Sequence, residues 1–244
     1  MAEEKPVLIV YAGPHGGGKS TFRTSRADDR AFIDIDRDRI ARVMPGGATE
    51  DNRIKATIEA NKLFREEIAE KRSFSIETPL ATPDALGKLR DARAAGYEIE
   101  LRYVGVASPD LAVARVQGRV AAGGHGYDET YIRNSYMASL KQLPEAIRLA
   151  DRASVFDNSK LFETRNFLNY EGALKQTLRD KEMPAWVQDA NTRIDARRAE
   201  MAPANPYAAG KAAQAGAALP RPLPLAPAGP SLDAGMKPTT GRSR

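Results

Sequence analysis

The sequence predicts an α/β fold, a parallel sheet flanked by helices, followed by a disordered C-terminal tail. Three observations carry that expectation. Short β-like apolar runs alternate with helical patterns through the first 160 residues, the rhythm of parallel strands joined by crossover helices. The first run, Val7-Leu8-Ile9-Val10, leads straight into a glycine-rich turn and a helix start. From about residue 202 the composition turns to Ala, Pro and Gly, with Pro220, Pro222, Pro224, Pro227 and Pro230 closely spaced. Such a segment buries too little apolar surface to offset its ordering entropy.

Taken in order, strands are expected at 7–11, 31–35, 74–77, 99–106 and 154–156. Helices are expected at 20–27, 51–71, 83–95, 109–122, 128–140 and 144–150. Thr82-Pro83 and Ser108-Pro109 each set a capping hydroxyl before a proline at the first helical position. Gly96 reads as a helix stop. The stretch from Ala121 through Gly123, Gly124, His125 and Gly126 to Tyr127 cannot easily continue a helix, and reads as a flexible loop between two arginine-bearing helices. After Asn158 the pattern weakens to an edge strand at 165–170 and a helix at 184–200. The expected organisation is a core at 1–160, a strand and helix extension at 161–201, and the tail at 202–244.

Composition narrows the class. With 42% hydrophobic and 28% charged residues the chain suits a soluble globular protein, and no apolar run is long enough to span a bilayer. Residues 1–6 lack the basic and apolar regions of a signal peptide, so a cytoplasmic location and no membrane partner are expected. The absence of cysteine excludes disulfides and thiolate metal sites. From Pro203 onward five basic residues face the single acid Asp233, so the tail holds +4 of the net charge of +5. The nearly neutral remainder is not a basic nucleic-acid-binding domain, and no nucleic-acid partner is expected.

The turn after the first strand reads Gly13-Pro14-His15-Gly16-Gly17-Gly18-Lys19-Ser20, which satisfies G-x-x-x-x-G-K-[ST] at every position. In a strand–turn–helix context this is a phosphate cradle: glycines let backbone N–H groups converge, and the helix N-terminus adds partial positive charge. Residues 13–21, ending at Thr21, are therefore the expected nucleotide-binding loop; Lys19 can reach the β- and γ-phosphates and Ser20 can ligate Mg²⁺. At the end of the second strand, Asp34 and Asp36 alternate with Ile33 and Ile35, and a carboxylate there can take a proton from an acceptor hydroxyl or hold Mg²⁺ through water. A solvated Asp/Arg turn is the alternative. At the end of the third strand, Glu77 is a candidate for substrate hydroxyls or the metal shell and Thr78 for a substrate phosphate, with a helix cap as the alternative. Arg115, Arg119 and Arg133 flank the glycine loop, where a closing lid would use guanidinium groups to offset charge on a transferring phosphoryl group. His125 is a further candidate for substrate contact. ATP with Mg²⁺ is the expected cofactor pair.

With these motifs together the chain resembles the zeta toxin family of P-loop kinases, in its short bacterial form. The likeness rests on residues 12–21, on Ile33-Asp34-Ile35-Asp36, on Ile76-Glu77-Thr78, on 109–119, on Gly123-Gly124-His125, on Ile132-Arg133 and on Asp157-Asn158-Ser159, and spans roughly residues 6–160, about two thirds of the chain. It implies a Rossmann-like P-loop kinase fold and phosphorylation of the 3′-hydroxyl of UDP-N-acetylglucosamine. It also implies Lys19 on the phosphates, Ser20 on Mg²⁺, Asp36 as base, Glu77 near the substrate and lid arginines on the transferred group. His15 departs from the family, whose members often carry a small polar residue such as Asn there. Any antitoxin is expected to be a separate chain. The rival readings are a P-loop kinase of another small metabolite or of polynucleotide ends, and a non-catalytic ATP-dependent binding module.

Overall fold

A computed structural model describes residues 4–26, 33–124, 126–160, 163–172, 175–180 and 182–201. The expected tail at 202–244 lies outside them. Among the described residues one seven-stranded sheet carries the fold. Its strands are β1 (Val7–Ala12), β2 (Ile33–Ile35), β3 (Phe74–Thr78), β4 (Glu98–Gly105), β5 (Arg152–Lys160), β6 (Glu163–Glu171) and β7 (Lys175–Arg179). The order is β2-β3-β1-β4-β5-β6-β7, with β2 through β5 parallel and the last two strands antiparallel. The first strand is central: β3 lies on one side and β4 on the other. Strand order changes direction there, so the turn after Ala12 opens where such sheets bind their ligands.

The alternation of β1 explains how it is buried on both faces. Leu8, Val10 and Ala12 enter the main core, while Val7, Ile9 and Tyr11 join Phe22, Val104 and Phe156 on the other face. Among the described residues seven helices surround the sheet: α1 (Lys19–Ser25), α2 (Arg37–Val43), α3 (Glu50–Glu70), α4 (Pro83–Ala94), α5 (Pro109–Ala121), α6 (Glu129–Leu149) and α7 (Ala185–Met201). The predicted proline starts hold, with Pro83 and Pro109 in the first turns of α4 and α5. The Ser108 side chain accepts from Leu111 N, whereas Thr82 makes no capping hydrogen bond.

Four elements differ from the sequence expectation. Residues 37–43, expected as part of a charged turn, form α2, because Asp36 caps it by accepting from Asp38 N and Arg39 N. The two helices expected on either side of Pro144 are one helix, α6. Its buried stripe of Ile132, Tyr136, Leu140, Leu143 and Ile147 runs through the proline unbroken, and packing outweighs the missing hydrogen bond. The fifth strand extends to Lys160, which puts Asp157 and Asn158 on the strand. The seventh strand was not anticipated; it pairs only with β6, at the sheet edge.

The last helix is anchored by Trp186, whose Nε1 donates to Asp157 Oδ1 at 2.6 Å. Its ring lies so close to Gly105 that a Cβ there would sit 2.3 Å from the indole. Gly105→Ala is therefore expected to cost about 1–3 kcal/mol through overpacking, read as a lower denaturant midpoint at unchanged slope.

Candidate active site

The glycine-rich turn leaves β1 and is held by its neighbours through close backbone approach. Gly16, at φ +76°, would place a Cβ 2.5 Å from Ala112 O, and Gly18, at φ +88°, would place one 2.2 Å from Asn158 Nδ2. Both the left-handed backbone and the lack of space require glycine. The Asn158 Nδ2 donates to Gly17 O at 2.9 Å while its Oδ1 accepts from Thr164 Oγ1 at 2.8 Å, so the β5–β6 hairpin tethers the turn. A cradle that admits no Cβ, at a helix N-terminus beside a buried lysine, fits a phosphate chain.

Lys19 is buried at 7% exposure, with Nζ 3.0 Å from Pro14 O and 3.9 Å from Glu77 Oε1. Burial lowers its pKa, and Glu77, Asp38 and Asp36 oppose that shift. Next to it the Ser20 hydroxyl donates to Glu77 Oε1 at 3.1 Å. Burial raises the Glu77 carboxyl, countered first by Lys19. Ser20 and Glu77 together offer hard oxygen ligands suited to Mg²⁺, which binds through one or two protein oxygens and keeps its waters. Among the described residues no group of three or more His, Asp or Glu side chains forms a dedicated metal cage. Thr21 is exposed in the first turn of α1.

Arg23 is a residue that sequence reasoning missed, as is Asn61 in the cavity beside the glycine turn. Arg23 stands four positions after Lys19, on the same side of α1. Its guanidinium lies 2.8 Å from Asp34 Oδ2, 3.3 Å from Asp36 Oδ2 and 3.5 Å from Glu77 Oε2. The expected pairing of Asp34 with Asp36 is thus realised around one cation. The two carboxylates then diverge. Asp36, 3% exposed, lines a cavity of about 120 Å³ beside the glycine turn, together with His15, Lys19, Asn61, Glu77 and Thr78. Asp34 does not line it; it accepts from Ser75 Oγ at 2.8 Å and pairs with Arg39 at 3.3 Å. Thr78 reaches the cavity while its Oγ1 accepts from Leu80 N, a turn contact as much as a site contact.

The three lid candidates occupy different positions. Arg119 lies near enough to lower the pKa of both Lys19 and His15. Arg115 donates to Ser159 O at 3.1 Å, at the end of β5. Arg133 is 40% exposed and paired with Asp110 at 2.6 Å and Glu129 at 2.8 Å, so its charge is spent on an α5–α6 link. His125 lies outside the described residues. His15 is buried, with ring centroids 4.3 Å from Tyr127 and 5.6 Å from Tyr131. Its pKa falls from the ordinary 6.5 to about 3, because burial and then Lys19 disfavour the imidazolium.

A central parallel sheet, a glycine cradle ahead of a buried lysine, and carboxylates at adjacent strand ends define a P-loop kinase fold. The zeta toxin family model matches residues 1–167, and the chain belongs to the zeta toxin family. It is 30% identical over 128 residues to an uncharacterized protein of Haemophilus influenzae, covering 52% of this chain and 91% of that one. Among solved structures it is similar to the complex of AvrRxo1-ORF1 and -ORF2 with ATP, with a TM-score of 0.56, 10% identity, and 78% of this chain and 64% of that chain covered. The chain therefore spans less than two thirds of that relative's length. It is also similar to the PezAT chromosomal toxin–antitoxin system of Streptococcus pneumoniae, with a TM-score of 0.51, 16% identity, and 80% and 88% covered. At these identities the two structures speak for the fold.

Two outcomes test the electrostatics. Arg23→Met should destabilise the protein by about 3 kcal/mol, as it takes the cation from the buried Asp36 and leaves Asp34 to Arg39 and Glu77 to Lys19, with Arg23→Lys restoring only part because it lacks the planar fork; chemical denaturation reads both. The His15 value lies below its unfolded value, so its contribution is complete above pH 6.5 and is lost as pH falls toward about 3. The slope of that loss is about 1.4 kcal/mol per pH unit. In His15→Phe, stability measured from pH 6.5 to 4 should therefore fall less steeply than in the wild type.

Proposed function

We propose that this protein is an ATP- and Mg²⁺-dependent phosphotransferase acting on a hydroxyl of a small sugar nucleotide, with UDP-N-acetylglucosamine as the leading acceptor, and that it is the toxin of a toxin–antitoxin pair. The observation that carries the reading is the cavity where Lys19, Asp36 and Glu77 meet at the mouth of the glycine cradle. A nucleotide-dependent switch needs no chamber with a carboxylate opposite the phosphate site. ATP and the antitoxin enter by likeness: one similar structure is described with ATP and another as part of a toxin–antitoxin system. No helix among the described residues is long and apolar enough to cross a membrane.

In this mechanism ATP supplies the phosphoryl group. The turn's backbone N–H groups and Lys19 hold its β- and γ-phosphates, and Ser20 with Glu77 would hold Mg²⁺. The acceptor hydroxyl sits in the cavity in line with the γ-phosphorus, within about 3–3.5 Å. Asp36 Oδ2 takes the hydroxyl proton as the new O–P bond forms, and the bond to the bridging oxygen breaks to release ADP. The Asp36 carboxylate can do this without moving, since Oδ1 is held by α2 and Oδ2 by Arg23. Arg119, the lid arginine whose charge reaches Lys19, offsets charge on the transferring group.

Lys19→Ala should abolish ATP binding and turnover. Asp36→Asn is the sharper test of the base, because asparagine keeps the cap of α2. It should leave the Kd for an ATP analogue within about threefold and lower kcat by about 10²–10⁴; normal turnover would sink the assignment. The acceptor is identified by radiolabel transfer from ATP to a panel of UDP-sugars, other metabolites and RNA ends, with mass detection of the product. Toxicity on expression, relieved by a neighbouring gene product, supports the toxin reading. A chain ending at Met201 should retain turnover, since every residue named in the mechanism precedes it.

A further inference from the structure

The cavity contains more polar chemistry than phosphoryl transfer uses. Among the described residues, three buried polar atoms without a hydrogen-bond partner belong to residues that line it: His15 Nε2, Asn61 Oδ1 and Glu77 Oε2. An unsatisfied buried polar atom costs about 1–3 kcal/mol, so three around one space mark it as built for a polar guest. Glu77 is accounted for by Ser20, Lys19 and Arg23. His15 and Asn61 are not. The P-loop backbone performs its phosphate work with its amides, which leaves the His15 side chain with no role in the cradle. That ring is instead clamped on the Tyr127–Tyr131 pair, whose own centroids are 5.1 Å apart, and is 6% exposed. Asn61 comes from α3, on the helical turn between Thr57 and Phe64, which line the same space.

The charge around His15 decides what it can recognise. Burial acts most strongly against protonation, Lys19, Arg37 and Arg119 act with it, and Asp38 opposes them. A neutral imidazole beside cations is of little use for holding an anion. It suits an uncharged group that both gives and takes hydrogen bonds. Asn61 Oδ1, an amide oxygen, accepts from the same kind of group. Resting on the kinase reading above, we propose that His15 Nε2 and Asn61 Oδ1 hydrogen-bond to hydroxyl groups of the acceptor other than the one phosphorylated, and so select a polyhydroxylated acceptor over a singly hydroxylated one. Asp36 acts on the reacting hydroxyl; His15 and Asn61 read its neighbours. A site with fixed polar partners discriminates strongly against analogues lacking the matching hydroxyl, because the partners are then left unpaired.

The test uses the full-length protein and the panel compound it phosphorylates fastest, starting with UDP-N-acetylglucosamine. His15→Phe keeps the aromatic stack and removes the nitrogen; Asn61→Leu keeps the volume and removes the amide. Each should raise the acceptor KM about tenfold, the equivalent of about 1.4 kcal/mol, while the KM for ATP stays within twofold. His15→Gln, which returns a polar atom, should recover part of the loss. A purely structural role would lower the melting temperature without this split between the two substrates. A second measurement covers variants that fail to fold. The chain has only two histidines, so ¹⁵N-histidine labelling resolves the His15 ring, and acceptor added to wild-type protein saturated with β,γ-imido-ATP should shift its ring nitrogens. Unchanged acceptor KM in both variants, a matching rise in ATP KM, or an unmoved ring signal overturns the inference and leaves the kinase reading standing. Failure of the wild type to phosphorylate any panel compound defeats the kinase reading, and this inference with it.

Discussion

One guanidinium balances the site. Asp34, Asp36 and Glu77 come from two neighbouring strand ends, and three carboxylates gathered there would repel one another in a partly dehydrated space. Arg23 reaches all three from α1, the helix that the glycine turn launches. The same contacts orient α1 against β2 and β3, so the phosphate-facing end of the helix and the carboxylates are set by a common element. Lys19, one turn earlier, is buried beside Glu77 and adds a second positive charge. Pre-set charges of this sort need no rearrangement when a phosphate chain arrives, which is the condition under which electrostatic stabilisation is most effective.

Much of this was legible in the sequence, and for definite reasons. The nucleotide turn was legible because its constraints are local: φ values near +80° at Gly16 and Gly18 leave one residue type. The central strand β1 was legible because it is a continuous apolar run, as burial on both faces demands. Asp36 and Glu77, which line one cavity, were nominated because strand ends next to such a turn are where ligands collect. What escaped detection depends on partners far along the chain. Arg23 looks like an ordinary helix arginine until β2 and β3 are placed beside it. Asn61 sits in a helix read only for its length, and the pairing of Tyr127 with His15 spans more than a hundred positions. The continuity of α6 through Pro144 is likewise a tertiary effect, decided by a stripe of buried side chains that outweighs a local rule.

The arginines show the limit of composition as a guide. Three residues at comparable distance from a glycine loop are equivalent in the sequence, yet the fold gives them separate work. Arg133 joins two helices on the outside, Arg115 binds a strand-end carbonyl, and Arg119 lowers the pKa of the glycine turn's lysine. Side-chain chemistry nominated all three; backbone geometry divided them.

The hairpin of β5 and β6 has a consequence for where this chain can be divided. Asn158 stitches the glycine turn to β5 and is itself held by Thr164 on β6, while Asp157 is held by Trp186 on α7. Two consecutive residues thereby connect the first loop of the chain with segments read from the sequence as an appended extension. A fragment severed at Lys160 would retain every motif residue yet lose the Thr164 hold on Asn158 and the Trp186 hold on Asp157. The described residues up to Met201 are accordingly one compact unit, in which these two clasps join the recognisable motifs to β6 and α7.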